Sequence, residues 1–214
     1  MIVTIDGGVA SGKSAVGRRV AEKLGLPFID SGLMYRAVTR LAMKRGIDPH
    51  DADAVTGLAE STAIRIDGER VWADGVELTD GIYDTDDADA LPVVSATPGV
   101  RKALVDQQRR MAKSGVVMAG RDIGTVVFPE AGHKFFLVAS LDEKVRRRAA
   151  QYERRGERVD EESMRKEVEL RDRVDSNRPV APLRPAEDAL IIDTDQLDLD
   201  AVVDRIVRRV REGK

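Results

Sequence analysis

Ile2-Val3-Thr4-Ile5-Asp6-Gly7-Gly8-Val9-Ala10-Ser11-Gly12-Lys13-Ser14 is the stretch that decides the fold. A short apolar strand runs directly into Gly-x-x-x-x-Gly-Lys-Ser, and a helical pattern with Val16, Val20 and Leu24 on one stripe begins at once. That strand–loop–helix context marks a phosphate-binding loop more strongly than the letters alone. Gly7 and Gly12 are expected to take positive φ, so that N–H groups from Gly8, Val9, Ala10 and Ser11 onward form an anion nest. The helix opening at Lys13 adds its positive dipole end to the same place. Lys13 is expected to reach the β- and γ-phosphates of a nucleoside triphosphate, and the Ser14 hydroxyl to sit on Mg²⁺. What receives the phosphate is not decided by this stretch.

Working outward, the sequence alternates short apolar runs with helical patterns. Gly25 stops the first helix, Leu26–Ile29 is a strand, and a second helix spans Leu33 to Lys44. Asp48-Pro49 is expected to open a third, with Asp48 as its cap. Residues 63–79 then read as a three-stranded antiparallel meander, with Asp67-Gly68 and Asp74-Gly75 as turn signals. The acidic stretch from Thr79 to Ala90 carries no clear pattern. A helix is expected over Val100–Lys113, and Val116–Ala119 and Lys134–Ala139 read as strands buried on both faces. Ser140-Leu141-Asp142-Glu143 matches a capping box opening a charged helix. Gly156 interrupts it, Asp160 restarts one, and Pro179, Pro182 and Pro185 end the helical region. Ala189–Asp193 is the last strand and Asp198–Glu212 the last helix. Five such strands predict an α/β fold: a parallel sheet covered by helices on both faces, with a small β insertion. Ligands of such sheets bind beyond the strands' carboxyl ends, where Asp6, Asp30, Ser31, Gly120 and Arg121 all lie.

Composition narrows the classes. The chain has 214 residues, enough to bury a substantial core. With 4% aromatic residues and a formal net charge of −3 it suits neither a base-stacking platform nor a dedicated nucleic-acid binder. It contains no cysteine, which excludes disulfides and thiolate metal sites. Neither a signal peptide nor an apolar run of about 18 residues is visible, so a cytoplasmic protein without a membrane partner is expected.

Three further runs join the loop in pointing to one family: Ile29-Asp30-Ser31-Gly32-Leu33-Met34-Tyr35-Arg36, Gly120-Arg121-Asp122-Ile123-Gly124-Thr125-Val126-Val127-Phe128-Pro129, and Arg171-Asp172-Arg173-Val174-Asp175-Ser176-Asn177-Arg178-Pro179-Val180-Ala181-Pro182-Leu183. With the meander, they resemble the bacterial cytidylate (CMP) kinases over almost the whole chain. The resemblance implies a P-loop nucleoside monophosphate kinase fold and transfer of the γ-phosphoryl group of ATP to CMP or dCMP with Mg²⁺. It also implies a monomer. One kinase domain is expected, with a core of 1–30, 97–141 and 183–214, an acceptor-binding region of about 31–96, and a lid of about 144–173.

The residue types suit that chemistry. An acceptor nucleotide brings a second dianion beside the triphosphate, and arginine's planar fork binds phosphate oxygens in pairs. The resemblance assigns the acceptor phosphate to Arg36, Arg121 and Arg178, and the sugar to Arg171 and Asp175. Spacings of four and three put Arg171, Asp175 and Arg178 on one helical face. Cytosine needs an acceptor for its amine, a role that Asp122 fits, and a donor, a role that Arg101 fits. Ser31 is a further nucleotide contact by resemblance, and Arg147 and Arg148 are lid arginines directed at the ATP phosphates. Lys13, Arg121 and Arg178 are the residues expected to act on the transferred group.

Three positions depart from the family pattern. Ala119 replaces a commonly acidic residue that would orient water around Mg²⁺, leaving that duty to Asp6 or to no residue. Pro92 replaces a serine that contacts the base, and Tyr83 an arginine. The expectation is a CMP preference over UMP with a reduced margin. A P-loop kinase for UMP or another small acceptor is the nearest alternative. A nucleotide-dependent switch is disfavoured, because Asn177 is the only asparagine and no Asn-Lys-x-Asp run exists.

Overall fold

The computed structural model describes residues 1–83, 89–154, 156 and 160–213. In chain order the first half comprises β1 (Ile2–Gly7), α1 (Lys13–Leu24), β2 (Phe28–Asp30), α2 (Gly32–Lys44), α3 (Ala52–Ser61), β3 (Ile64–Asp67), β4 (Arg70–Ala73) and β5 (Val76–Glu77). The second half comprises α4 (Ala90–Ala96), α5 (Pro98–Met111), β6 (Val116–Gly120), β7 (His133–Val138), α6 (Leu141–Arg154), α7 (Glu161–Asn177), β8 (Leu190–Asp193) and α8 (Leu199–Arg211). A π-helical turn, Ile123–Val127, separates β6 from β7.

The five long-range strands pair in parallel in the order β2-β6-β1-β7-β8, as the alternating pattern predicts. Alternation along β6 sorts the two faces. Val117 points with Val3 and Ile5 toward Val16 and Val20 of α1 and Val203 and Ile206 of α8. Val116 and Met118 point the other way, toward Val105 of α5 and Ala112 just beyond its end. With both faces covered, β6 must be apolar throughout, and every residue of it is buried. Register places Asp6 opposite Gly120 and Asp30 opposite Ala119, so three strand ends meet at one edge of the sheet. Among the described residues no helix is long and apolar enough to cross a membrane.

The meander forms a separate antiparallel sheet, β3-β4-β5. Asp74 and Gly75 both take positive φ, 50° and 80°, which is the type I′ signature that the Asp-Gly pair provides. Gln107 of α5 ties this sheet down: its side chain accepts from Ile64 N and donates to Thr62 O. Val71, Ala73 and Leu78 share a core with Met34 and Val38 of α2 and Val55 and Leu58 of α3.

Several boundaries differ from expectation, each for a local reason. Asp48 closes a turn onto His50 N, and Asp51 caps α3 instead, accepting from Ala54 N at 3.0 Å. The Ser140 box is half made. Ser140 Oγ accepts from Glu143 N, but Ser140 N donates to Asp195, and Glu143 turns to Arg146 and Arg147. Helix α5 starts at Pro98, two residues before the expected Val100, because proline suits a first helical turn. The short α4 was not expected. Pro92 lies in its first turn, where a missing N–H leaves no bond unmade. The expected irregularity of Thr79–Ala90 falls partly on 84–88, outside the described residues.

Candidate active site

At the carboxyl end of β1 the chain turns through Gly7–Gly12 into α1. Gly12 takes φ 88° and Ala10 φ 53°. Gly7 does not take a positive φ, contrary to expectation; its glycine is required by space. A Cβ there would meet Leu137 O and Ser11 Oγ, each at 2.6 Å. Lys13 folds back over the loop and donates to Gly8 O at 2.8 Å. Burial, then the nearby Arg121, pulls the Lys13 ammonium down to about 8. The loop therefore holds a desolvated cation whose charge an incoming anion would stabilise.

Ser14 Oγ donates to Asp30 Oδ2 at 2.6 Å, and Asp30 Oδ1 accepts from Gly32 N. A hydroxyl and a carboxylate together are hard oxygen donors of the kind Mg²⁺ takes. Asp30 was missed as a metal-side residue, although its place at a strand end beside Ser31 was legible. Asp6, the other residue considered for that duty, is engaged in fastening a turn. Both of its oxygens are taken by N–H groups of the π-helical turn, from Ile123 at 2.9 Å and Gly124 at 2.8 Å. Burial pushes the Asp6 carboxyl up to about 7 despite those two bonds.

The π-helical turn fixes Asp122. Its carbonyl accepts from Val126 and Val127, so the run after Gly120-Arg121-Asp122 serves as a rigid bracket. Gly120 is forced by crowding, since a Cβ would lie 2.6 Å from both Ile123 Cγ1 and Ser31 Oγ. Asp122 Oδ2 pairs with Arg101 Nη2 at 2.5 Å, both side chains buried. Arg101 is held further by Ser95 O and by the Tyr35 ring, 5.1 Å away.

A cavity of about 360 Å³ lies between these groups and helices α6 and α7. Its lining includes Ser31, Arg36, Arg101, Arg121, Asp122, Arg171, Asp175 and Arg178, so the expected acceptor residues all meet in one place, with Val9 of the loop at the margin. Among the described residues six arginines face four carboxylates there, so arginine outnumbers its counter-ions. Asp175 is the hub: it pairs with Arg121, and with Arg171 at 3.4 Å and Arg178 at 3.5 Å. Burial raises the Asp175 carboxyl, but Arg121, Arg171 and Arg178 overcome this and hold it below the usual range. The opposite holds for two of its partners. Burial, then Arg121, pulls Arg171 down to about 10, and burial, then Arg101, lowers Arg178. Among the described residues Arg178 Nη2 is buried without a hydrogen-bond partner, its Asp122 neighbour 3.8 Å away. Such a donor is an anion contact waiting to be made. Arg36 stacks on Tyr83, 4.8 Å from the ring centroid, so the tyrosine found there organises an arginine.

The two arginines expected of a lid, Arg147 and Arg148, separate. Arg147 is pinned to Thr194 and Glu143, and its Nη1 would lie 3.6 Å from a Cβ on Gly12, beside the loop. Arg148 pairs with Glu167 at 2.8 Å and lines the acceptor cavity instead.

The cytidylate kinase family model matches residues 3–212. The chain is 46% identical over 216 residues to a cytidylate kinase from Desulforamulus reducens, covering 99% of this chain and 97% of that one. It is 44% identical to a bifunctional pantoate ligase/cytidylate kinase from Synechococcus sp. (strain JA-3-3Ab), covering 99% of this chain but spanning only 41% of that longer protein. A crystal structure of an uncharacterized protein from Eubacterium ventriosum, 14% identical, shares the fold with a TM-score of 0.55 over 99% of this chain and 98% of that one. With the family model covering nearly its whole length and relatives this similar, the chain belongs to the cytidylate kinase family.

Proposed function

We propose that this protein transfers the γ-phosphoryl group of ATP to CMP or dCMP, giving ADP and the corresponding diphosphate. The observation that carries the reading is the acceptor cavity itself. It reaches Val9 of the phosphate loop, is rich in arginine among the described residues, as a phosphate site requires, and holds the buried Arg101–Asp122 pair suited to cytosine. The loop and Lys13 hold the triphosphate, and Arg147 approaches from the lid side. Arg36, Arg121 and Arg178 hold the acceptor phosphate, while Arg171 and Asp175 border the sugar. Ser31 adds a nucleotide contact.

The acceptor phosphate is already ionised at neutral pH and needs no general base. One of its oxygens attacks the γ-phosphorus in line, and the chain's part is to position the two nucleotides and absorb charge on the moving group. Lys13, Arg121 and Arg178 do this from fixed positions, without rearranging as charge develops. Ser14 and Asp30 would hold Mg²⁺, directly or through water, and the ion would supply charge neutralisation between the phosphates. Residues 144–173 are the lid, which excludes water as a competing acceptor; 31–96 are the acceptor-binding region. A cytoplasmic monomer is the simplest setting for this reaction.

A coupled ADP-release assay across CMP, dCMP, UMP, AMP and GMP tests the reading. CMP and dCMP are consumed fastest and UMP more slowly; consumption of none of the five overturns it.

A further inference from the structure

Asp172 belongs to none of the groups above, yet its carboxylate sits on the phosphate loop. Oδ1 accepts the Val9 N–H at 2.9 Å, and Oδ2 takes the Lys144 ammonium at 2.6 Å. The approach is close enough to dictate the loop sequence: a Cβ on Gly8 would lie 2.7 Å from Asp172 Oδ1. The Val9 side chain, meanwhile, packs on the small core of Val145, Tyr152, Met164 and Val168 between α6 and α7. One loop residue is thus fastened to the lid helices by both its backbone and its side chain.

A carboxylate with one oxygen on a loop N–H and the other on a lysine has the chemistry of a phosphate group: anionic, accepting, and divided between a backbone donor and a cation. We propose that Asp172 holds the place of a triphosphate oxygen in the nucleotide-free protein. A nucleoside triphosphate then displaces it and takes over both Val9 N–H and Lys144. Lys144 is accordingly a further phosphate-binding residue. Asp172 is a positioning residue that keeps the donor cation and the loop aligned until the nucleotide arrives. Two anions cannot share one N–H, so the carboxylate must leave as the phosphate enters, and the lysine that balanced the first anion then balances the second.

This inference rests on the reading of the loop as an ATP site, and the test separates the two. Calorimetric titration of the full chain with MgATP, and separately with CMP, avoids turnover. Asp172→Asn keeps an oxygen for Val9 N–H but removes the competing charge and frees Lys144. MgATP affinity rises about tenfold, the size of one charge-assisted hydrogen bond. Lys144→Met lowers it by a similar factor. CMP affinity stays within about twofold in both variants, because Arg171 and Asp175 on the same helix α7 remain in place. Should Asp172→Asn weaken MgATP and CMP together, the residue merely supports α7 and the inference fails. It fails equally when Lys144→Met binds MgATP as the parent does. A parent protein that binds no MgATP overturns the ATP reading instead.

Discussion

In the loop between β1 and α1, the groups that would meet phosphate are backbone donors of consecutive residues, fixed by Gly12 at positive φ and by crowding at Gly7. In the acceptor cavity they are side chains from α2, α5, α7 and the turn after β6, held apart in sequence and tied together through Asp175 and Asp122. The first site has no acidic residue within the loop and takes one carboxylate, Asp172, from α7 through Val9 N–H; the second is built with several counter-ions already in place. Removing a side chain from the loop should therefore cost turnover without stability. Removing one from the cavity leaves a buried charge unpaired, and so disturbs recognition and stability together.

The sharpest break of this comparison is Lys13→Ala. Loss of a preorganised cation from the transferred group lowers kcat by about 10³-fold. The thermal midpoint does not fall, because burial already disfavours the Lys13 charge in the folded state. A clear drop in midpoint would show that the loop, like the cavity, depends on side-chain pairing. Next in size is Asp122→Asn. The amide still offers Arg101 an oxygen but can also donate to the uracil carbonyl, so the CMP-to-UMP ratio of kcat/KM narrows by about 10- to 100-fold. An unchanged ratio would remove Asp122 from base recognition.

The same contrast explains what the sequence made legible. The donor loop is contiguous, and its spacing, strand and helix are local facts; the parallel sheet followed from the apolar runs for the same reason. The cavity residues lie far apart in the chain, and spacing alone related only Arg171, Asp175 and Arg178. Arg121 was placed by its strand end, and Arg36, Arg101 and Asp122 joined it through family likeness. Asp30 and Asp172 escaped because their importance lies in partners distant in sequence, Ser14 and Val9, which no periodicity records. Helix α4 escaped because Pro92 reads as a breaker unless its place in the first turn is known. Asp51 and Asp48 are both competent caps, and which one serves is decided by how the loop after α2 docks.

Asp6 joins the two regions, since it ends the donor strand and fastens the turn that carries Asp122. Its folded pKa, about 7, lies above the model-peptide value of 3.8. Between those values the native state binds more protons than the unfolded chain, so this group's contribution to stability is fully present below about pH 4. It is lost as pH rises toward 7, at up to about 1.4 kcal/mol per pH unit. Denaturant unfolding of the parent and of Asp6→Asn from pH 4 to 8 isolates the effect. The difference in unfolding free energy between them narrows as pH rises through this window. A constant difference would mean that Asp6 stays ionised and that the two regions are joined by a permanent carboxylate.

The smallest effect tests the contrast at its source. Lys13, pulled down to about 8, is about half protonated at pH 8, and a triphosphate beside it restores the proton. ATP binding at pH 8 should therefore take up to about half a proton from solution. This is measurable as a dependence of calorimetric enthalpy on the buffer's own ionisation enthalpy. In the cavity, Arg171, lowered by burial to about 10, stays charged at that pH and gives CMP binding almost no uptake. Lys13→Ala should make ATP binding resemble CMP binding in this respect. If ATP uptake persists without Lys13, the proton goes elsewhere, and the desolvated lysine is not what distinguishes the backbone nest from the paired cavity.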